Sequence, residues 1–360
     1  MRSHNPCTLC AIETLRSVDI KESSHNDADH GVIDVRVNGV ARSLAIVVII
    51  LANAAGAHAE IIKKSTPGAA GSGEHVFYRD DKEIARFRED TVSREVLENT
   101  GEIPDGVVNE YDDGGTLRYQ WLYKDNALEG VTREYNKKGE LLYRWQYSDN
   151  NLEGKSWEYY RNGKVKAEFN FAQGILEGLY REYYENGAVR KDGNYRKNML
   201  EGAVREYFKN GLLKAVWHYK DGVRQGESEE YYDTGQLQRK VSYNNDERQG
   251  VCEEYYKNGT VKMVSSYTDG RLDGPVKEYY ESGALRGRWN YTGSKREGLF
   301  ERYYESGAIM EEINFTDGKK DGIANDYFDD GMFRAIRVYE NGKLVRTSIF
   351  DKEGAVVHEQ

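Results

Sequence analysis

The stretch GLYREYYENGAVRKDGNYRKNMLE, from Gly178 to Glu201, contains the pattern that decides the fold. A similar stretch returns every 24 residues, and we number each unit from its first Gly. Gly178 is then position 1, Tyr183 position 6, Gly187 position 10 and Tyr195 position 18. A fixed period of this length is typical of tandem structural repeats. Ten units in one register begin at Gly106, Gly130, Gly154, Gly178, Gly202, Gly226, Gly250, Gly274, Gly298 and Gly322.

Each unit predicts one β-hairpin. Its strands cover positions 2 to 7 and 11 to 18, and a turn such as Glu185-Asn186-Gly187 joins them. An Asn-Gly pair suits a two-residue type I′ turn, but position 9 also holds Thr234, and a β-branched residue resists positive φ. Only position 10 is Gly in every unit, which favours a type I turn closed by one left-handed glycine. The structural glycines of the first five turns are Gly115, Gly139, Gly163, Gly187 and Gly211.

This turn type sets a predicted register, in which position 6 lies opposite position 12. We expect Tyr at position 6, the aliphatic residue at 12 and the aromatics at 16 and 18 to share one packed face. Glu at position 5 and the variable residues at 13, 15 and 17 are expected on the other, solvated face. The structural tyrosines of this prediction are represented by Tyr183, Tyr207 and Tyr231.

The units together predict an all-β fold, an elongated, twisted single-sheet antiparallel meander of tandem 24-residue β-hairpins. An isolated hairpin is marginal in water, so neighbouring units must stabilise one another. Residues 60–105 are expected to form an N-terminal cap with a degenerate repeat and a more helix-like segment from Glu89 to Asn99. Residues 106–345 contain the ten units, and residues 346–360 form a C-terminal capping half-repeat.

The first 59 residues are interpreted as a leader. The apolar run LAIVVIIL, residues 44 to 51, follows Arg36 and Arg42, and Ala57-His58-Ala59 supplies an A-x-A cleavage site before Glu60. The alternative is a retained anchor, but the run is shorter than the roughly 20 residues that a spanning helix needs. The polar residues before Asp34 are unusual for a signal, and we expect the first ~34 residues to reflect a misplaced start. The leader predicts export to the periplasm, the cell surface or the medium.

Charge and cysteine content narrow the function classes. The chain has 51 basic and 61 acidic residues, of which 5 and 6 lie in the first 59, so the mature chain would carry a net charge of −9. Such a surface argues against nucleic-acid binding and against anionic membranes. After cleavage only Cys252 remains, which leaves no disulfide within the chain.

The motifs WEYYRNGKVKAEFN and REYYENGAVRKDGNY resemble the repeat of the bacterial MORN-repeat variant family. The similarity covers about residues 73 to 358. It implies a β-hairpin array without enzymatic activity, and eukaryotic relatives imply scaffolding and membrane contact.

We expect no catalytic, cofactor-binding or metal-binding residues. Position 5 carries an acid in nine units, which indicates a structural role, and acids at position 24 offer too few oxygens for Ca²⁺. The histidines beyond residue 59, His75, His218 and His358, are far apart in sequence.

Tyrosines at position 7 are the candidate interaction surface, because position 7 is expected on the face opposite Tyr at position 6. They are Tyr160, Tyr184, Tyr232, Tyr256, Tyr280 and Tyr304. The leading hypothesis is an exported, non-enzymatic scaffold that binds another protein in the cell envelope. The alternative is a module that binds cell-wall carbohydrate or choline through Trp and Tyr rings. A glycan binder is expected to keep Trp at a fixed position in every unit, whereas here Trp occurs in only some units, which favours the scaffold.

Overall fold

The computed structural model describes residues 60–67, 72–90 and 96–360. All regular secondary structure in these residues is β-strand, so the prediction of an all-β chain of antiparallel hairpins is confirmed. The chain also divides into two compact parts, each containing several 24-residue repeats, and below these parts alone are called the first unit and the second unit. The first unit runs to Gly187 and includes Tyr195–Asn198, and the second unit contains Ala188–Asn194 and Met199–Gln360. The leader prediction lies outside the described residues.

The first unit begins with a cap of four strands. They are β1 (Ile61–Pro67), β2 (Ser72–Arg79), β3 (Lys82–Asp90) and β4 (Val96–Gly101). The prediction of a helix-like segment from Glu89 to Asn99 is wrong for its described part, because β4 pairs with β3 and places Arg88 opposite Glu98. Strand β1 also runs parallel to the first strand of the repeats, with Ile61 opposite Val108, which is an exception to the antiparallel pattern.

The repeat strands of the first unit follow in order. They are β5 (Gly106–Tyr111), β6 (Leu117–Lys124), β7 (Ala127–Leu128), β8 (Gly130–Tyr135), β9 (Leu141–Ser148), β10 (Asn151–Leu152), β11 (Gly154–Tyr159), β12 (Val165–Ala172), β13 (Ile175–Leu176) and β14 (Gly178–Tyr183).

Strand β15 (Val189–Arg196) has residues in both units. The second unit continues with β16 (Met199–Leu200), β17 (Gly202–Tyr207), β18 (Leu213–Lys220), β19 (Val223–Arg224), β20 (Gly226–Tyr231), β21 (Leu237–Asn244), β22 (Glu247–Tyr255), β23 (Val261–Thr268), β24 (Arg271–Leu272) and β25 (Gly274–Tyr279). It ends with β26 (Leu285–Thr292), β27 (Lys295–Arg296), β28 (Gly298–Tyr303), β29 (Ile309–Thr316), β30 (Lys319–Tyr327), β31 (Phe333–Glu340), β32 (Lys343–Phe350) and β33 (Val356–Glu359).

The turn within each hairpin has the geometry that Gly at position 10 predicts. In the first hairpin, Gly115 N–H donates to the Asp112 carbonyl over 2.9 Å, and Asp112 N–H donates to the Thr116 carbonyl over 2.9 Å. This is a type I turn followed by a left-handed residue, and the φ of Gly115 is +77°. The φ angles of Gly139, Gly163, Gly187 and Gly211 are +78°, +79°, +91° and +84°.

Candidate protein-binding face

A β-bulge decides which side chains face the core. In the first hairpin Tyr111 at position 6 lies opposite Leu117 at position 12, as predicted. The next pair skips one residue, because Glu110 at position 5 lies opposite Tyr119 at position 14. Arg118 at position 13 is therefore an extra residue on the second strand, and it reverses the side-chain alternation there. The same shift occurs in the second unit, between Glu254 and Tyr255.

The predicted assignment of faces is wrong for this reason. Positions 3, 5, 14, 16 and 18 share the packed face, whereas positions 2, 4, 6, 12, 15 and 17 share the other, which we call the outer face. Tyr at position 6 and the aliphatic residue at position 12 therefore lie opposite the aromatics at 16 and 18, and Glu at position 5 lies with those aromatics.

Position 3, which the sequence analysis did not single out, is the most consistently buried position. It is buried in all ten units although its residue type varies: Val108, Thr132, Ser156, Tyr180, Val204, Ser228, Cys252, Val276, Phe300 and Ala324. In some units a small residue there lies opposite a large one at position 16, as Thr132 lies opposite Trp145, but Cys252 lies opposite Ser265. Residue type therefore gave no signal for the burial of position 3.

Acidic residues at position 5 have partners inside the packed face. Glu110 accepts a hydrogen bond from Trp121 Nε1 over 2.9 Å and lies 3.6 Å from Lys63 Nζ. Burial raises the pKa of Glu110, but Lys63 and the hydrogen bonds outweigh burial and hold that pKa below its ordinary value. Asp326 at the same position pairs with Arg337 and lies 3.5 Å from Arg334. The expectation that position 5 lies on the solvated face is therefore wrong.

The tyrosines at position 7 connect consecutive units. Their hydroxyls donate to the backbone carbonyl of position 6 in the next unit: Tyr160 to Tyr183 (2.6 Å), Tyr232 to Tyr255 (2.7 Å), Tyr256 to Tyr279 (2.8 Å), Tyr280 to Tyr303 (2.8 Å) and Tyr304 to Tyr327 (2.8 Å). These tyrosines and Tyr184 are half-buried. Folding thus gives the five bonded side chains a structural role, while binding of a partner by this row stays a prediction.

Position 24 also connects units. Its side-chain oxygen accepts a hydrogen bond from the backbone N–H of position 20 in the next unit, as in Glu153 to Gln173 (2.8 Å) and Gln249 to Asp269 (3.0 Å). A Gln oxygen serves as well as a carboxylate here, which explains why position 24 holds both residue types. Among the described residues no three His, Cys, Asp or Glu side chains lie close enough together to hold a metal ion.

A row of exposed apolar residues follows position 2 on the outer face of the second unit. Val251, Leu299 and Ile323 are 55%, 46% and 56% exposed, and Pro275 between them is also exposed. Consecutive members lie two strands apart, about 10 Å. We call these four residues the position-2 row. The row could not be recognised in the sequence for two reasons. Position 2 is charged in other units, as at Lys155 and Glu227, and the predicted assignment of faces was wrong.

Charged side chains surround the position-2 row. Arg288 and Glu301 form a two-bond ion pair across β26 and β28, in which Arg288 Nη2 lies 2.9 Å from Glu301 Oε1. Arg288 holds the pKa of Glu301 below its ordinary value, so this carboxylate is charged at neutral pH. Apolar residues with a charged, partly exposed border are typical of protein interfaces.

The histidines and the free cysteine of the described residues lie apart from one another. The histidines lie on separate strands, His75 on β2, His218 on β18 and His358 on β33. Burial raises the pKa of the Cys252 thiol, which makes it a poor nucleophile at neutral pH. No stretch of the described chain forms a helix with the length and apolar character needed to cross a membrane.

Comparison with known proteins identifies the repeats. The family model described as MORN repeat variant matches residues 104–125, 152–173, 176–197, 224–245, 248–269, 272–292 and 296–317. Seven of the ten 24-residue hairpins are therefore MORN repeat variants, and the chain belongs to this family. No curated protein matches the chain.

A solved structure, of a functionally unknown protein from Desulfotomaculum acetoxidans DSM 771, is similar over 79% of this chain and 81% of that one. The identity is 9% and the TM-score 0.12, so the similarity carries no argument about fold or function.

Proposed function

We propose that the chain is a non-enzymatic repeat scaffold, exported to the cell envelope, that binds another protein through the outer face of its second unit. The observation that carries this proposal is the position-2 row, which exposes apolar surface repeatedly on one side of a sheet. Exposed apolar side chains that recur along one face, with polar residues around them, support a protein partner.

The burial of two of the five tryptophans favours a protein partner over a glycan. Trp121 and Trp145 are buried in the packed face, where Tyr119 and Tyr143 stack on them at 4.9 Å between ring centroids. These rings cannot form an accessible floor for sugar stacking without unfolding the unit.

Binding is tested with Val251→Lys/Leu299→Lys/Ile323→Lys, because lysine already occupies position 2 at Lys155. The matched control is Leu212→Lys/Met332→Lys at exposed position 11, where Lys164 is the precedent. Affinity capture from an envelope extract should recover a protein with the wild type and the control but not with the triple variant. Equal recovery by all three would contradict the proposal.

Capture on purified cell wall distinguishes the carbohydrate-binding alternative from the protein-binding scaffold. The scaffold predicts no retention on wall material that is free of protein. Retention on wall alone, with nothing captured from the extract, would overturn the ranking of the two functions.

Export has its own test. The leader predicts that the protein purified from its host begins at Glu60, which N-terminal sequencing would show. A protein that begins at Met1 would contradict cleavage.

A further inference from the structure

The second unit contains a cavity of about 320 Å³ on its packed face. Three aromatic rings and Ile313 supply its apolar walls, and charged side chains complete the lining. The residues are Glu278, Trp289, Arg296, Phe300, Arg302, Glu311, Ile313, Phe315 and Lys320. The volume of this cavity is at the lower end of the range for small-molecule sites, and five of its nine lining residues are charged.

Trp289 lacks the stacked ring that covers Trp121 and Trp145, two of the other three position-16 tryptophans. Tyr119 and Tyr143, at position 14, stack on Trp121 and Trp145 in the first unit. The residue at position 14 beside Trp289 is Gly287, whose missing Cβ would stand 3.2 Å from Trp289 Cζ3. No side chain at position 14 therefore covers this ring. Trp289 Nε1 is also buried without a hydrogen-bond partner among the described residues.

Arg296 lies over the aromatic wall. Its guanidinium carbon is 5.6 Å from the Trp289 ring centroid, 5.1 Å from that of Phe300 and 5.5 Å from that of Phe315. Six of the ten units have Leu at this position, 23, as at Leu272. The N–H groups of a guanidinium point outward in its own plane, so a guanidinium that lies over aromatic rings can still donate to a carboxylate.

The cations of the cavity exceed its available acids. Glu278 is already paired with Arg286 at 3.0 Å, which leaves Glu311 as the other carboxylate of the lining. Arg296, Arg302 and Lys320 form no ion pair within the described part of the chain. Arg302 stands at position 5, where eight of the ten units have Glu, so the sequence has exchanged an acid for a base at this place.

We infer that this cavity binds a small molecule that carries a carboxylate on a flat apolar body. The rings take the apolar body, and the three unpaired cations take the carboxylate. This inference goes beyond the proposed scaffold function and does not depend on it, because the cavity lies on the packed face and the position-2 row on the outer face.

The test uses the full chain labelled with ¹⁵N at tryptophan. Phenylacetate is titrated while the indole N–H signals are recorded, and Trp289→Phe assigns the signal of Trp289. Phenylacetate should shift this signal saturably in the millimolar range, as expected for so small a ligand. Neutral phenylacetamide should not shift this signal because it lacks a carboxylate, and inorganic phosphate should not shift it because it lacks an apolar ring.

Substitutions taken from other units provide matched variants. Arg296→Leu copies Leu272, and Arg302→Glu copies Glu278, so both are expected to fold, which circular dichroism checks. Each should weaken phenylacetate binding about tenfold. Arg224→Leu makes the same change at position 23 beside Trp217, away from the cavity, and should leave binding unchanged. No saturable shift, an equal response to phenylacetamide or phosphate, or equal weakening by Arg224→Leu would each overturn the inference.

Discussion

At the scale of single residues, the positions that repeat most strictly are those that a turn or a hydrogen bond requires. Gly at position 10 was predictable because only one turn type fits its neighbours. The burial of position 3 could not be predicted from residue type, since Ser228 and Phe300 both occupy it. Its burial follows from the register, which places position 3 opposite position 16 on the packed face.

Gly163 tests the turn geometry. Its φ is +79°, and an added Cβ would meet no atom within 4 Å, so Gly163→Ala should destabilise only through the left-handed backbone, by about 1 kcal/mol. Urea denaturation should show a lower midpoint for Gly163→Ala and a smaller change for Gly163→Asn. Equal midpoints for Ala and Asn would show that backbone conformation is not the cause.

Tyr232 tests the connection between units. Tyr232→Phe removes the hydroxyl that donates to the Tyr255 carbonyl and should cost about 1 kcal/mol. Position 7 is naturally Phe at Phe208, where Phe208→Tyr should add the corresponding bond and raise the midpoint. Thermal unfolding of both variants checks the pair, and a loss of stability in Phe208→Tyr would contradict the assigned role.

At the scale of strands and hairpins, one bulge separates the predicted from the observed arrangement. The sequence predicts the pairing of position 6 with position 12 correctly and the limits of the two long strands to within one residue, because both depend on the turn. The extra residue at position 13, such as Arg118, carries no distinctive signal, and it reverses the faces beyond it. Strand β4 of the cap could not be predicted for a similar reason, since its pairing with β3 does not follow from the repeat.

His75 in the cap predicts a pH dependence. Burial and Lys63 lower its pKa, against the raising effects of Glu89 and Glu110, so the folded cap favours the neutral imidazole. Its Nδ1 lies 2.9 Å from Ser65 Oγ. Because the folded pKa lies below the unfolded value of about 6.5, the stabilisation is complete above that pH and is lost as pH falls through the folded pKa.

The measurement for His75 is the urea midpoint as a function of pH. The wild type should lose stability below about pH 6.5, and His75→Gln should lose less over the same interval. Parallel curves for the two proteins would show that other groups control the acid transition.

At the scale of the whole molecule, stability is expected to add up from neighbouring repeats. Deleting residues 226–249 removes 24 residues and joins Gln225 to Gly250 in phase. This variant should keep its β spectrum by circular dichroism and a cooperative thermal transition. Deleting residues 226–237 instead breaks the phase and should disrupt the fold. Equal damage from both deletions would contradict a 24-residue structural period.

The proposal that a protein partner binds the position-2 row can be tested by site-specific photocrosslinking in the native host. A benzophenone side chain at Leu299, on the row, is compared with one at Met332, which is exposed at 40% but lies outside it. The account predicts a discrete protein adduct from position 299 and none from position 332. No adduct at 299, or the same adduct from both positions, would contradict it.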